Sequence, residues 1–398
     1  MEDGKQAAEA GSADHKDAQP HNPAAKRKVA LVLAYLGAGY AGMQFNPGQK
    51  TIESEVMDAM AKAGAVSAAN AGQFGKVSWA RAARTDKGVN ALGQVVSLNM
   101  VLPDGVVDQI NAHLPPAIRA LGFCRVIKGF DARRLCDKRR YEYFLPAWAF
   151  DPSVCKPSAD QPEIVFPGRP ASPETANGRT NGESAASCLT PMQPADAPQM
   201  SADHYVGTHN YHNFTIRVHS SDPSATRYIK SFKCEDIVHL QGQPWVRMVV
   251  VGQSFMLHQI RKMVGLAVAI ARGTAQDYVM HAALSGEHSV HVPLAPEGGL
   301  FLERCFFEAY NDRWKHTHGE SVDVGLYADQ VEDFKMSKLY PHIANSEAYR
   351  QQLQLFLRSL NERNFQFTRW KDVTSDKHTG SKPATFNDNA HTRADYSD

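Results

Sequence analysis

The residues with most chemistry to offer lie in Ala83-Arg84-Thr85-Asp86-Lys87-Gly88-Val89. A carboxylate flanked by Arg84 and Lys87 is drawn toward its ionised form, the state that a nucleophile or general base needs. The competing reading is a plain turn, with Asp86 bonded to nearby amides and Gly88 at positive φ. A second cluster comprises Arg119, Arg125, Lys128, Arg133, Arg134, Lys138, Arg139 and Arg140, set against Asp131 and Asp137 and ending in Tyr141 and Tyr143. A run like this is ordinarily a solvated face, but interleaved with aromatic rings it suits phosphate contacts and base stacking. A third is the helical pattern from Phe255, where Met256, Ile260, Met263 and Val264 form an apolar stripe. His258 and Arg261, three apart, share a neighbouring face. That segment is either an amphipathic core helix or a helix that aims Arg261 into a cleft to grip a carboxylate or phosphate bidentately.

Other chemistries have weaker signals. His209 and His212 are spaced to share one metal on a helix, a reading that would make the chain a metal-dependent hydrolase. No cysteine or acidic ligand accompanies them, so capping and loop hydrogen bonds are expected and no metal site is predicted. There is no Walker loop and no G-x-S-x-G, and nucleotide hydrolysis, dinucleotide redox and serine-hydrolase chemistry are not expected. Lys plus Arg number 43 against 42 for Asp plus Glu, a net charge of +1, so attraction to a partner must come from local patches. The six cysteines are scattered without a C-x-x-C pair, which argues against a disulfide framework or zinc ribbon and for a reducing compartment.

The elements that must position these residues can be read from periodicity. Val29-Ala-Leu-Val-Leu-Ala-Tyr-Leu36 reads as a buried strand and Thr51 as the cap of a helix with Val56, Met60 and Ala63 on one face. Strands at 77–83 and 94–99, a helix at 104–113 and a strand at 123–128 complete a β-α-β-β-α-β unit. The order then recurs: a strand at 141–145, a short helix at 201–206, strands at 228–239 and 245–251, a helix at 255–272 and a strand at 300–310. The predicted fold is α+β, two ferredoxin-like βαββαβ units with sheets side by side, helices packed against them and a catalytic cleft between the halves.

The domain boundaries follow. Residues 1–28 form a polar tail, 29–138 an N-terminal half and 139–310 a C-terminal half. The stretch 151–203, with nine prolines and Phe166 as its one wholly carbocyclic aromatic side chain, reads as a disordered insertion within that second half. Residues 311–370 form a helical extension, where 345–360 has helical apolar spacing, and 371–398 a second polar tail. No apolar run approaches the ~20 residues that span a bilayer. The tail shows no secretory or mitochondrial pattern, and Lys26-Arg27-Lys28 is either a fragment of a nuclear signal or a solvated basic step.

Several motifs in order carry a resemblance: KVALVLAYLGAGYAGMQFNPGQKTIE, WARAARTDKGVNALGQVVSLNM, INAHLPPAIRALGF, KRRYEYFLP, YVGTHNYHNF, GQSFMLHQIRKMVGL and VPLAPEGGLFLERCFF. Over about Lys28 to Tyr310 the chain resembles the TruA-type tRNA pseudouridine synthases, eukaryotic branch. The resemblance implies cofactor-free isomerisation of uridine to pseudouridine in tRNA, with other RNAs as further substrates and the nucleus as the compartment. Asp86 falls at the family's catalytic aspartate, attacking sugar or base. Tyr141 matches the tyrosine that stacks on the uracil, and Arg261 the arginine that pairs with the catalytic carboxylate. Arg84 is implied to hold the nucleotide out of the stack, and Leu302 to supply apolar packing. The rival of a different class is a catalytically inert RNA-binding module on the same fold.

Overall fold

The β-branched and aliphatic run after Arg27 forms β1 (Arg27–Tyr35), whose residues from Val29 onward are almost wholly buried on both faces. Such two-sided burial marks a strand inside a sheet that is covered on both sides. The structure, a computed structural model, describes residues 25–155, 202–318, 320–366 and 371–372. The predicted N-terminal tail up to residue 24, the body of the Pro-rich insertion (156–201) and the predicted tail from 373 lie outside the described residues.

Next comes α1 (Ile52–Lys62), closed by a capping box in which Thr51 Oγ1 accepts from Ser54 N at 3.2 Å and Ser54 Oγ accepts from Thr51 N at 3.0 Å. Then follow β2 (Ala80–Arg81), β3 (Asn90–Met100), α2 (Val106–His113) and β4 (Ile118–Arg125). The second half holds β5 (Lys138–Pro146), β6 (Gly207–Asn210), β7 (Thr226–Leu240), β8 (Gln243–Gly252), α3 (Gln259–Ala271), α4 (Tyr278–Leu284), β9 (His288–Ser289) and β10 (Leu300–Phe306).

Nine strands make one sheet in the order β4-β1-β3-β10-β5-β8-β7-β6, with β2 paired to β3. Neighbours are antiparallel except at the centre, where β10 lies parallel to β3 through Phe301↔Asn90 and Leu302↔Ala91. The α+β class with sheets side by side is therefore present, and the junction of the halves is this short parallel contact. Among the described residues five further α-helices follow β10: α5 (Glu308–His318), α6 (Ala328–Phe334), α7 (Tyr340–Asn345), α8 (Glu347–Ser359) and α9 (Glu362–Phe365). Of these, α8 is capped by Ser346 and buries Tyr349, Leu353, Phe356 and Leu357. A small second sheet pairs β9 with β11 (Lys371–Asp372).

Several predicted elements change extent. The strand at 77–83 shrinks to Ala80–Arg81 because Ser78 sits at φ 52°, which breaks extended backbone. The strand at 123–128 shifts to Ile118–Arg125, where it pairs with β1. The helix at 255–272 begins only at Gln259, since His258 is left-handed at φ 65°. The strand at 300–310 stops at Phe306 and Glu308 opens a helix. Where a helix was expected at 201–206, the second half has one turn of 3-10 helix (Ala202–Tyr205) followed by the short edge strand β6.

Candidate active site

The Asp86 loop enters β3 beside the central junction, and its backbone is held from several directions. Upstream, Glu53 of α1 is fully buried yet fully engaged: it pairs with Arg81, accepts from Trp79 Nε1 at 2.7 Å and from Phe45 N at 2.8 Å. That network ties β2, and so the start of the loop, to α1. Gln94 Nε2 donates to Ala83 O at 2.8 Å while its Oε1 accepts from Ala83 N at 3.2 Å. Thr85 Oγ1 bonds the Tyr35 hydroxyl at 2.8 Å, and Met43 N donates to Thr85 O at 3.1 Å. Val89 N closes the turn on Asp86 O at 3.1 Å, with Gly88 at φ 79°. The turn and the positive φ of Gly88 are thus as expected, but the backbone amide that meets the Asp86 carboxylate is that of His258 across the junction, not a nearby one in the loop.

Gly37-Ala38-Gly39-Tyr40-Ala41-Gly42 has the G-x-G-x-x-G spacing after a strand, against the expectation that dinucleotide signals are missing. No helix follows it directly, and Gly37 and Gly42 serve the Asp86 loop instead. A Cβ at Gly37 would lie 2.3 Å from Val89 O, and one at Gly42 would lie 2.9 Å from Thr85 O. Only a residue without a side chain lets the two backbones approach this closely.

Asp86 itself is partly buried and faces the other half of the molecule. Burial raises its carboxyl above the usual carboxylate range; the charges of His258 and Arg261 and a hydrogen bond from the His258 amide oppose this, and Glu297 adds to the rise. The cations acting most strongly on it come from the turn and helix across the junction, not from Arg84 and Lys87 as the sequence suggested; both of those are exposed. His258 is left-handed ahead of α3, and its backbone amide, lying outside the helix's own bonding, meets the Asp86 carboxylate. Burial also pushes the His258 imidazole below its ordinary value, with Asp86 pulling the other way.

Where the resemblance implies a pair between Arg261 and the catalytic carboxylate, the structure pairs it with Glu297: Nη2 meets Glu297 Oε2 at 3.0 Å and Nε donates to Ala295 O at 2.7 Å. Tyr141 and Leu302 face each other directly across β5 and β10, and Leu302 pairs in turn with Ala91 of β3. Tyr141 is 6% exposed, with the Phe255 ring packed edge-on at 5.2 Å, and Leu302 is fully buried. Arg84 stands exposed on the rim of the Asp86 loop.

The basic run is less of a solvated face than its composition suggests. Arg139 is buried and donates to the carbonyls of Ala82 and Gln253, Arg140 pairs with Glu142, and Lys138 pairs with Glu308. Arg125, Lys128, Arg133 and Arg134 remain exposed. His209 Nε2 bonds Val206 O and His212 Nδ1 bonds Asn210 Oδ1, and among the described residues no group of three or more His, Cys, Asp or Glu could hold a metal. An open cavity of about 320 Å³ beside Asp203, His204 and His281 contains none of the Asp86 surroundings. No helix among the described residues is long and apolar enough to cross a membrane.

Sequence reasoning missed Gln94, Tyr35 and Glu297 as parts of this site. It singled out His258 only as Arg261's neighbour and Arg139 only as one of a basic run, without placing either beside Asp86.

A mixed α+β fold built on one largely antiparallel sheet, with a carboxylate loop at its central junction, is the architecture of the pseudouridine synthases of TruA type. A model of the tRNA pseudouridine synthase family matches residues 201–308. The chain is 39% identical to a pseudouridylate synthase 1 homolog of Mus musculus, over 89% of this chain and 78% of the relative. It is 39% identical to the Homo sapiens homolog, over 85% and 74%. It is 34% identical to tRNA pseudouridine synthase 1 of Eremothecium gossypii, over 85% and 73%. The chain belongs to the tRNA pseudouridine synthase family.

Proposed function

We propose that this chain isomerises uridines in tRNA to pseudouridine, with Asp86 as the catalytic carboxylate. The observation that carries the reading is the placement of Asp86 on a braced loop at the junction, against the His258 amide and within the field of Arg261. The reaction breaks the bond from N1 to the sugar and makes one from C5; C5 loses a proton and N1 gains one. Nothing is added or oxidised in the balance, so the chain's own side chains suffice to perform it.

A glycosidic carbon inside a stacked stem is out of reach of a protein side chain, so the nucleotide must first swing out, at a cost of a few kcal/mol. Arg84, exposed at the rim, holds the extruded nucleotide by its phosphate. The uracil settles against Tyr141, with Leu302 behind it as apolar packing. Stacking on an aromatic ring contributes ~1–3 kcal/mol, comparable with the extrusion cost. Arg261, braced by Glu297, lies beside the reacting carboxylate and favours its anionic form. Arg125, Lys128, Arg133 and Arg134 grip the RNA backbone by charge and shape. Other RNAs fall within this substrate class, and we place the enzyme in the nucleus rather than the cytoplasm on the family resemblance. Lys26-Arg27-Lys28 adds no support, because Arg27 and Lys28 open β1 and buried Lys28 donates to Ser78 O at 2.8 Å. A reporter fused to the full chain that stays out of the nucleus would refute the placement.

The test is Asp86→Ala incubated with unmodified tRNA transcripts, with pseudouridine mapped by position. Product is lost while tRNA is still bound. Turnover equal to the unsubstituted protein would overturn the assignment.

A further inference from the structure

Glu297 lies in the segment before β10, between the Asp86 loop and α3, and none of the expected site roles uses it. Its Oε2 holds Arg261 Nη2 at 3.0 Å, and both side chains are largely buried, at 11% exposure for Arg261 and 29% for Glu297. On its other side it presses on the Asp86 loop: a Cβ at Gly88 would meet Glu297 Cγ at 2.9 Å. The segment that bears it is fastened on every side. Ala295 O accepts from Arg261 Nε at 2.7 Å, and Ala295 N donates to Arg261 O at 3.2 Å. Pro296 O accepts from the Tyr143 hydroxyl at 2.6 Å. Tyr349 of α8 packs beneath Gly298 and Gly299, its hydroxyl donating to Phe144 O at 2.6 Å. So fastened, the backbone that bears Glu297 is fixed, and its carboxylate and the Arg261 guanidinium hold each other.

From this geometry we infer that Glu297 is a positioning residue for catalysis, an acid that holds Arg261 beside Asp86 without letting the guanidinium close a bidentate pair on it. The inference rests on the proposed role of Asp86. An aspartate clasped by two parallel arginine bonds is a poor nucleophile and base, because the anion is stabilised in its ground state. By keeping one face of Arg261 for itself, Glu297 leaves the Asp86 oxygens to the nucleotide. The charged and titratable groups around Glu297 and Arg261 are Asp86 on the loop, His258 and Lys262 from the α3 side, and Tyr143 of β5. Among these, Glu297 and Asp86 are the anions, so the negative charge of Glu297 also opposes ionisation of Asp86.

The test is the pH profile of single-turnover pseudouridine formation in the full chain, with Glu297→Gln and Glu297→Asp. Glu297→Gln keeps the size of the side chain and removes the charge, so the acid limb moves to lower pH. The plateau rate falls about 10- to 100-fold as Arg261 turns onto Asp86. Glu297→Asp keeps the charge but withdraws it from Arg261, so the rate falls as Arg261 turns onto Asp86, and the acid limb moves to lower pH by less than in Glu297→Gln. An acid limb unmoved in Glu297→Gln overturns the inference, whether the rate is unchanged or only the reacting fraction drops, as loss of fold alone would produce. Should Glu297→Gln fail to fold, Glu297→Asp decides, and a rate equal to the unsubstituted protein overturns the inference. Failure of the Asp86 assignment shows separately, as turnover by Asp86→Ala, and takes this inference with it.

Discussion

Arg139 is the residue whose replacement tests most directly how the two halves build one site. Its guanidinium lies at the junction and donates twice to Ala82 O, at 3.1 and 2.7 Å, and once to Gln253 O, at 2.5 Å. Ala82 begins the Asp86 loop and Gln253 begins the turn to His258, so one planar fork sets the distance between the segments that must meet. Arg139→Met keeps the length of the side chain and removes every donor. A buried carbonyl left without a donor costs about 1–3 kcal/mol, a cost that falls on Ala82 O, since Gln253 is exposed and water can reach its carbonyl. That is a large share of a typical stability of about 5–15 kcal/mol, which makes Arg139→Lys the more informative variant. Lysine keeps the charge but is a point donor that cannot span both carbonyls in fixed geometry. A displacement near 1 Å costs about 100-fold in rate, equivalent to about 2.7 kcal/mol in the barrier.

The assay is tritium release from tRNA labelled at uridine C5, under single turnover, read as rate constant and amplitude separately. The expected result for Arg139→Lys is a lowered rate constant at full amplitude with tRNA still bound. A lowered amplitude at an unchanged rate constant would mean that Arg139 merely stabilises the fold, and an unchanged rate constant and amplitude would show that the fork positions nothing.

Two further outcomes follow from other parts of the structure. Tyr141→Ala removes a stacking surface worth ~1–3 kcal/mol, so turnover falls about 5- to 150-fold while tRNA affinity changes little; normal turnover, measured well below the unfolding temperature, would remove the stacking role. Burial pushes the Lys262 ammonium down to about 8, while it donates to Asn213 O and Thr215 O at 3.0 Å each. The unfolded chain then binds more protons than the folded one between that value and the ordinary 10.5, so this group makes the fold more stable as pH rises through the window. Urea unfolding of the native chain and Lys262→Met at pH 7.5 and 9.5 checks the sign: the native chain gains relative to the variant at the higher pH, and a loss would refute it.

Much of this protein was determined by neighbours in the chain. The β1 run, the Thr51 cap, the helices α2 and α8 and the strands around Tyr141 and Trp245 follow from periodicity and capping, which are short-range properties. The turn chemistry of Asp86 to Val89 was legible for the same reason, and ordered motifs over most of the chain carried the family. Contact between distant segments was not legible. The parallel pairing of β3 with β10 spans two residue pairs and leaves no pattern in either strand. Composition places Arg139 on a solvated basic face; tertiary packing buries it and turns it into the link between the halves. Glu297 stands in a proline- and glycine-flanked turn with no sequence signal at all, and only the folding of β10, α3 and α8 around it brings its carboxylate to Arg261. The charge state of Asp86 is set in the same way, because desolvation and the fields of His258, Arg261 and Glu297 act through space, and the chain brings those groups together only once it has folded.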